Sequence, residues 1–243
     1  MTQSTSKPVL LLIPGMLNIA RIWNSVVPLL PTGVDVRFAD VTTQTSIADM
    51  ARDAGELVAD VPTTQRLVVC GFSMGGYVAL ELVASRLAAQ RPASTWSLCL
   101  LNTSSRAETA ETRVVREKTI RAMERNFERV IQGVALFNMD KANHANTEIM
   151  TEALSIMRQT GADAAIRQLH AIMARRDQTP LLPQIHAQTL VVSSRSDLVV
   201  PPAASEEMAA LLPHARLAWI EGAAHMTPLE QPGKLAALLR TLL

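Results

Sequence analysis

The sequence predicts an α/β protein: a mostly parallel sheet of about six strands flanked by helices, interrupted by an all-helical insertion. Three observations carry this. Short apolar runs alternate with longer helical patterns, and parallel strands need crossovers that cover both faces of a sheet. The runs are almost continuously apolar, as burial on both faces requires. The chain has 243 residues, 48% hydrophobic and 19% charged, which is enough for one well-packed α/β core.

Taken in order, residues Lys7–Ile13 read as the first strand, ended by Pro14-Gly15. Val34–Ala39 reads as the second, followed by a helix from Ser46 to about Asp60. Gln65–Cys70 is the third, with a helix from Met74 to about Ala89, and Trp96–Leu101 is the fourth. Strand signals return at Thr189–Ser193, then a helix from about Ala203 to Leu212, a last strand at Arg216–Ile220 and a final helix from about Pro228 to Leu242. Right-handed crossovers bring the strand C-termini to one edge, where open α/β sheets place their chemistry.

Between about Ser104 and Pro180 there is no strand signal. Phe127, Val130, Ile131 and Val134 repeat at helical spacing, as do Ile149, Met150, Ala153, Leu154 and Met157, and then Ala162, Ala165, Ile166, Leu169 and Met173. Gly161 separates the last two segments, as a helix C-terminal glycine does. The expected organisation is a core of residues 1–103 and 181–243 with a helical insertion, 104–180, over the strand edge.

Composition excludes several classes. The formal charge is +1 with no basic run, so nucleic acid is not an expected partner. The residues before Val9 lack the apolar stretch of a signal peptide, and no run is long enough to span a bilayer, so no membrane insertion and a cytoplasmic setting are expected. Cys70 and Cys99 each fall inside a strand run and read as buried thiols. No metal-ligand cluster or phosphate-binding glycine loop is visible, so neither a metal nor a cofactor is expected. The sequence leaves the oligomeric state open.

Chemistry concentrates at Gly71-Phe72-Ser73-Met74-Gly75-Gly76, a G-x-S-x-G motif between a strand and a helix. A sharp turn there forces the serine into a strained backbone, and flanking side chains would clash, hence the glycines. The serine oxygen then stands at a helix N-terminus, where N–H groups and the helix dipole favour negative charge.

With this motif the sequence resembles the α/β-hydrolase family over nearly its whole length. Three further segments carry the likeness: Leu12-Ile13-Pro14-Gly15-Met16 after the first strand, Ser194-Arg195-Ser196-Asp197 followed by Val199-Val200-Pro201, and Gly222-Ala223-Ala224-His225-Met226-Thr227-Pro228, continued by Glu230 and Pro232. The resemblance implies Ser73 as nucleophile, His225 as its base and Asp197 as the group that orients the histidine. It also implies an oxyanion hole from the backbone N–H groups of Met16 and Met74. Many members have His-Gly where this chain has Pro14-Gly15; a backbone donor tolerates that change.

The residues support the same assignment. A serine hydroxyl needs a base within reach, and the base needs a third group. Of five histidines, His144 and His170 fall in the insertion, His186 precedes a strand and His214 ends a helix; His225 alone lies in a loop on the expected edge. For the acid, the loop after Trp96–Leu101 begins Asn102-Thr103-Ser104 and offers no early carboxylate, whereas the loop after Thr189–Ser193 offers Asp197. Asp40 competes, but loop capping is its expected role. Glu221 reads as a surface charge.

Trp23, Met150, Met157 and Met173 are candidate pocket residues, with core packing as the competing reading. Arg175-Arg176-Asp177 could hold an anionic substrate group or form salt bridges. The expected reaction is hydrolysis of a carboxylic ester or lactone of a small-to-medium apolar molecule through an acyl-enzyme. A C–C bond hydrolase or lyase of the same fold is the alternative, although its relatives carry basic residues near the elbow where this chain has Tyr77. A non-catalytic ligand-binding protein is the third reading. Dehalogenases and epoxide hydrolases need aspartate where Ser73 stands.

Overall fold

The computed structural model describes residues 7–84 and 92–243. The residues before Lys7, and the far end of the helix expected to reach Ala89, lie outside the described residues.

Six strands form one sheet: β1 (Val9–Ile13), β2 (Asp35–Phe38), β3 (Leu67–Phe72), β4 (Trp96–Leu101), β5 (Gln188–Ser193) and β6 (Ala215–Trp219). Their order is β2-β1-β3-β4-β5-β6, and every neighbouring pair is parallel. The chain leaves β1 toward one side to make β2 and returns to the other side to make β3, so the strand order reverses between β1 and β3. A crevice opens at such a switch point, outside the strand C-termini. Ile13 pairs with Gly71 there, so the loops carrying Met16 and Ser73 leave the sheet side by side.

Alternation along each strand divides the core. Val9, Leu11, Ile13, Leu67, Val69, Leu98 and Leu100 pack with α1 (Ile47–Glu56), α2 (Met74–Leu82) and α6 (Pro202–Leu211). Leu10, Leu12, Val68, Cys70, Phe72, Cys99 and Leu101 pack on the opposite face, with Trp23 and the C-terminal helix α8 (Pro232–Arg240). Both cysteines are free and buried. Ser46 caps α1 by accepting the Asp49 N–H at 3.0 Å.

Between β4 and β5 run three helices: α3 (Ala110–Asn138), α4 (Thr147–Thr160) and α5 (Ala162–Ala174). Ile120, Met123, Ile131, Met157, Leu169 and Met173 form a cluster of their own among them. The helix α3 is bent at Asn126, whose backbone is extended and whose Oδ1 accepts the Arg129 N–H at 3.0 Å. Asparagine thereby caps a second helical half inside the first. The single final helix expected from Pro228 to Leu242 is instead two, α7 (Thr227–Glu230) and α8, broken at Gln231. Gln231 precedes Pro232, and the proline ring disfavours helical backbone in the residue before it. No described helix is long and apolar enough to cross a membrane.

Candidate active site

Ser73 lies between β3 and α2 with φ 52° and ψ −117°, a backbone that non-glycine residues rarely adopt. The turn is tight enough that a Cβ at Gly71 would enter the Gly75 carbonyl and one at Gly75 the Ile13 carbonyl. It is fixed from two sides. The Ser73 N–H donates to the Leu101 carbonyl at 2.9 Å, and the Thr103 hydroxyl donates to the Ser73 carbonyl at 2.7 Å.

The Ser73 Oγ is 2.9 Å from His225 Nε2, and His225 Nδ1 is 2.8 Å from Asp197 Oδ2. An ionised aspartate only accepts, so Nδ1 carries the proton and Nε2 is left to accept from the serine hydroxyl. The imidazole ring packs against Phe72, with centroids 5.3 Å apart, and the His225 N–H donates to the Asn138 carbonyl at 2.9 Å. His225 is therefore held by the end of α3 as well as by its own loop.

Asp197 is 3% exposed, so its charge needs partners. Its Oδ1 accepts the Val199 and Val200 N–H groups at 2.8 and 2.9 Å, and its Oδ2 accepts from His225 and from Asn102 Nδ2 at 2.8 Å. Burial pushes its pKa up, but His225, the Val200 N–H and Asn102 outweigh it and hold the carboxyl below its ordinary value. Asn102 was not read as a site residue. It sits one residue past β4 at φ 46°, buried, and Thr227 Oγ1 donates to its Oδ1 at 2.8 Å.

The N–H groups of Met16 and Met74 face no hydrogen-bond acceptor among the described residues, and both residues line the cavity beside Ser73. The loop of Met16 is shaped by Leu17 at φ 59°, whose N–H donates to Gln168 Oε1 at 2.9 Å. Gln168, fully buried on α5, also donates to the Val41 carbonyl at 3.0 Å and is a second residue the sequence reading missed.

The cavity at Ser73 has a volume of about 320 Å³, at the lower end for small-molecule sites. The Ser73 and His225 loops form its floor. Thr112, Val115, Arg116, Thr119, Val134 and Phe137 of α3, Leu169 and Ile172 of α5, and Leu198–Val200 form its walls. Trp23, Met150, Met157 and Met173, read as pocket candidates, are not among them. Trp23 is fully buried and meets Phe72 edge-on behind the elbow, Met157 and Met173 belong to the cluster among α3–α5, and Met150 packs between that cluster and the sheet core. Helical periodicity identified their apolar faces, but those faces turn to neighbouring helices. Arg175 Nη1 stands 2.6 Å from Glu108 and Arg176 Nη2 3.1 Å from Glu81, so this pair makes salt bridges and does not line the cavity. Asp40 is exposed and accepts from the Thr42 N–H and hydroxyl, a loop cap, and Glu221 is exposed. Among the described residues no cluster of three or more histidine, cysteine or acidic side chains could hold a metal ion.

Comparison with known proteins places this geometry in context. Residues 10–238 match a family described as the alpha/beta hydrolase family. A putative carbamate hydrolase, RutD, of Pseudomonas savastanoi pv. phaseolicola is 28% identical over 246 residues, covering 95% of this chain and 91% of that protein. A thermophilic esterase from Thermogutta terrifontis superposes with a TM-score of 0.83 at 22% identity, over 96% of this chain and 88% of the other. The enol-lactonase from Burkholderia xenovorans LB400 gives 0.81 at 21% identity, over 99% and 92%. At these identities the structural likenesses establish the fold.

Proposed function

This chain belongs to the alpha/beta hydrolase family, and we propose that it is a serine hydrolase that cleaves a carboxylic ester or lactone of a small-to-medium substrate through an acyl-enzyme. The observation that carries the reading is the unbroken relay from Ser73 Oγ to His225 Nε2 at 2.9 Å and from Nδ1 to Asp197 at 2.8 Å. In this reading Ser73 attacks the carbonyl carbon while Nε2 takes the hydroxyl proton. Asp197 fixes the tautomer and stabilises the imidazolium. The Met16 and Met74 N–H groups receive the oxyanion of the tetrahedral intermediate, at the N-terminus of α2 where the helix dipole adds to them. The protonated His225 then gives its proton to the leaving alkoxide, and a water activated by the same nitrogen releases the acid.

Residues 104–180 act as a lid in this scheme. The helices α3 and α5 close the cavity over the strand edge, exclude water and set the size of the acyl group. The apolar walls and modest volume favour a short to medium chain. A carbamate, the bond named for the RutD relative, would be attacked by the same serine at the same kind of carbonyl.

The test is covalent labelling. A fluorophosphonate probe should modify Ser73 and no other serine, and Ser73→Ala should remain folded, unlabelled and inactive on p-nitrophenyl butyrate. Labelling elsewhere, or wild-type hydrolysis by Ser73→Ala, would overturn the assignment.

A further inference from the structure

Among the described residues that wall the cavity, histidine aside, Arg116 is the one ionisable side chain with a charge at neutral pH, and no carboxylate shares the wall. Its charge is only partly answered. Arg116 Nε lies 2.8 Å from Glu108 Oε2, but without the alignment of a hydrogen bond. The same oxygen takes Arg175 Nη1 at 2.6 Å. One carboxylate oxygen is thus shared by two guanidinium groups.

Of the three side chains, Arg116 is the one on the cavity wall. The side chains of Glu108 and Arg175 are 3% and 7% exposed, whereas that of Arg116 is 28% exposed. Arg175 is further occupied: it donates to the Arg106 and Ile172 carbonyls and lies over the Tyr77 ring at 4.3 Å. Burial alone would raise the Glu108 pKa, yet the Thr112 hydroxyl, Arg175 and Arg116 bring it below its ordinary value, so the carboxylate is ionised. No hydrogen bond from either Nη group of Arg116 to an acceptor is present among the described residues. A planar fork of that kind matches a carboxylate.

Building on the reading of Ser73 as an ester-cleaving nucleophile, we propose that Arg116 binds a carboxylate carried by the substrate, so that the molecule cleaved is a half-ester or a lactone acid: an apolar chain with the reacting carbonyl at one end and an anion at the other. The Arg116 fork answers one carboxylate, and Val115, Tyr77 and Met74 in the lining of the same cavity suit an apolar chain.

The test compares monomethyl hexanedioate with methyl hexanoate, esters of equal chain length that differ by one carboxylate. The wild type should prefer the half-ester by about tenfold or more in kcat/KM. Calorimetry on Ser73→Ala should give the same preference in Kd, with no turnover needed. Arg116→Met should bring both ratios close to one, and Arg116→Lys should keep part of the preference because a point charge remains. Should Arg116→Met fail to fold, Arg116→Lys and salt dependence serve instead: salt should weaken binding of the half-ester and not of the neutral ester. Equal treatment of the two esters by the wild type, or a preference that survives in folded Arg116→Met, would overturn the anion site while leaving the hydrolase reading intact. A Kd preference in Ser73→Ala from a protein that hydrolyses neither ester would uphold the anion site and overturn ester hydrolysis.

Discussion

Two regions meet at the cavity, and they are built on different principles. The loops at the strand edge are strained and densely bonded. All three non-glycine residues with positive φ among the described residues, Leu17, Ser73 and Asn102, lie there, at the ends of β1, β3 and β4. Asp197 has four hydrogen bonds and Asn102 bonds on both sides of its amide. The helical wall opposite has little of this: Val115 is 61% and Phe137 53% exposed although both line the cavity, and α3 bends at Asn126. Strained backbone persists only where its surroundings over-determine it. The difference teaches that positional accuracy is concentrated in the loops that carry Ser73, Asp197 and His225, while the helical wall, apart from Arg116, Thr112 and Thr119, is mainly apolar and more exposed.

Substitutions that remove the bonded relay should therefore have the largest effects. Ser73→Ala should lower kcat on short acyl esters by about 10⁶-fold, the scale seen for a serine protease nucleophile. Asp197→Asn should lower kcat by about 10⁴-fold, because an amide no longer fixes the histidine tautomer. Asp40→Asn, changing an exposed loop cap, should stay within about twofold on the view that surface changes cost little. Steady-state kinetics on p-nitrophenyl butyrate checks all three, and comparable losses at Asp40 and Asp197 would move the acid to the other loop.

Asn102→Ala sharpens the comparison at the next level down. It removes one charged hydrogen bond to Asp197 and leaves the Thr227 hydroxyl unpaired in a buried site. Losing a hydrogen bond to a charged group costs about 1.5–3 kcal/mol, so kcat should fall by roughly 10–100-fold if that loss is expressed at the histidine. KM should change little, since Asn102 does not line the cavity. An equal loss in KM with unchanged kcat would show that the residue serves binding instead.

What the sequence made legible follows the same divide. The four inner strands β1, β3, β4 and β5 were readable because burial on both faces leaves continuous apolar runs, the partly buried edge strands β2 and β6 from their place in the alternation of strand and helix, and Gly71 to Gly76 because one narrow steric problem has few solutions. Asp197 and His225 could be placed because few residues of their type fall in loops at the right edge. Asn102 is hard to recognise because it carries no carboxylate and so offers no acid; an asparagine directly after a strand, tolerant of positive φ, is the available signal. Gln168 had none, since its partners Leu17 and Val41 are distant in sequence. The methionine pocket failed because a 3.6-residue period reports that a face is apolar and not what it faces. The break before α8 was missed although Pro232 carried the signal, since the residue before a proline disfavours helical backbone.

Wall residues should show smaller effects, chiefly in KM. Phe137→Ala should enlarge the cavity and shift preference toward longer acyl chains by a few-fold, on the scale of a few methylene contacts. Met157→Ala should leave that profile unchanged and instead lower stability by about 2–5 kcal/mol, as a buried methionine in the α3–α5 cluster. A chain-length series on both variants, with thermal melts, separates the two. A shifted profile in Met157→Ala would return it to the pocket.

The smallest expected effect tests the seam where the two regions join. Glu230 is 6% exposed. Its Oε1 accepts the Ala224 N–H at 2.9 Å, next to His225, and its Oε2 accepts the Asp140 N–H at 2.7 Å and Asn143 Nδ2 at 2.8 Å, just beyond α3. Burial dominates its titration; the three donors pull the pKa down and the Asp140 charge pushes it up, leaving it above its ordinary value. A folded-state pKa above the unfolded one, near 4.3, means the folded protein binds the extra proton between the two values. This contribution to stability is full below about pH 4.3 and declines as pH rises through the folded value. Asp197 has the opposite sign, its contribution being lost on acidification below about pH 3.9, so the two windows do not overlap. Glu230→Gln keeps the shape of the protonated acid and removes the titration. Its Tm should lie below that of the wild type at pH 4.5, because an amide replaces an acceptor, and the gap should narrow toward pH 7. A gap that stays constant across that range would mean that Glu230 joins the histidine loop to α3 without a cost for its buried charge.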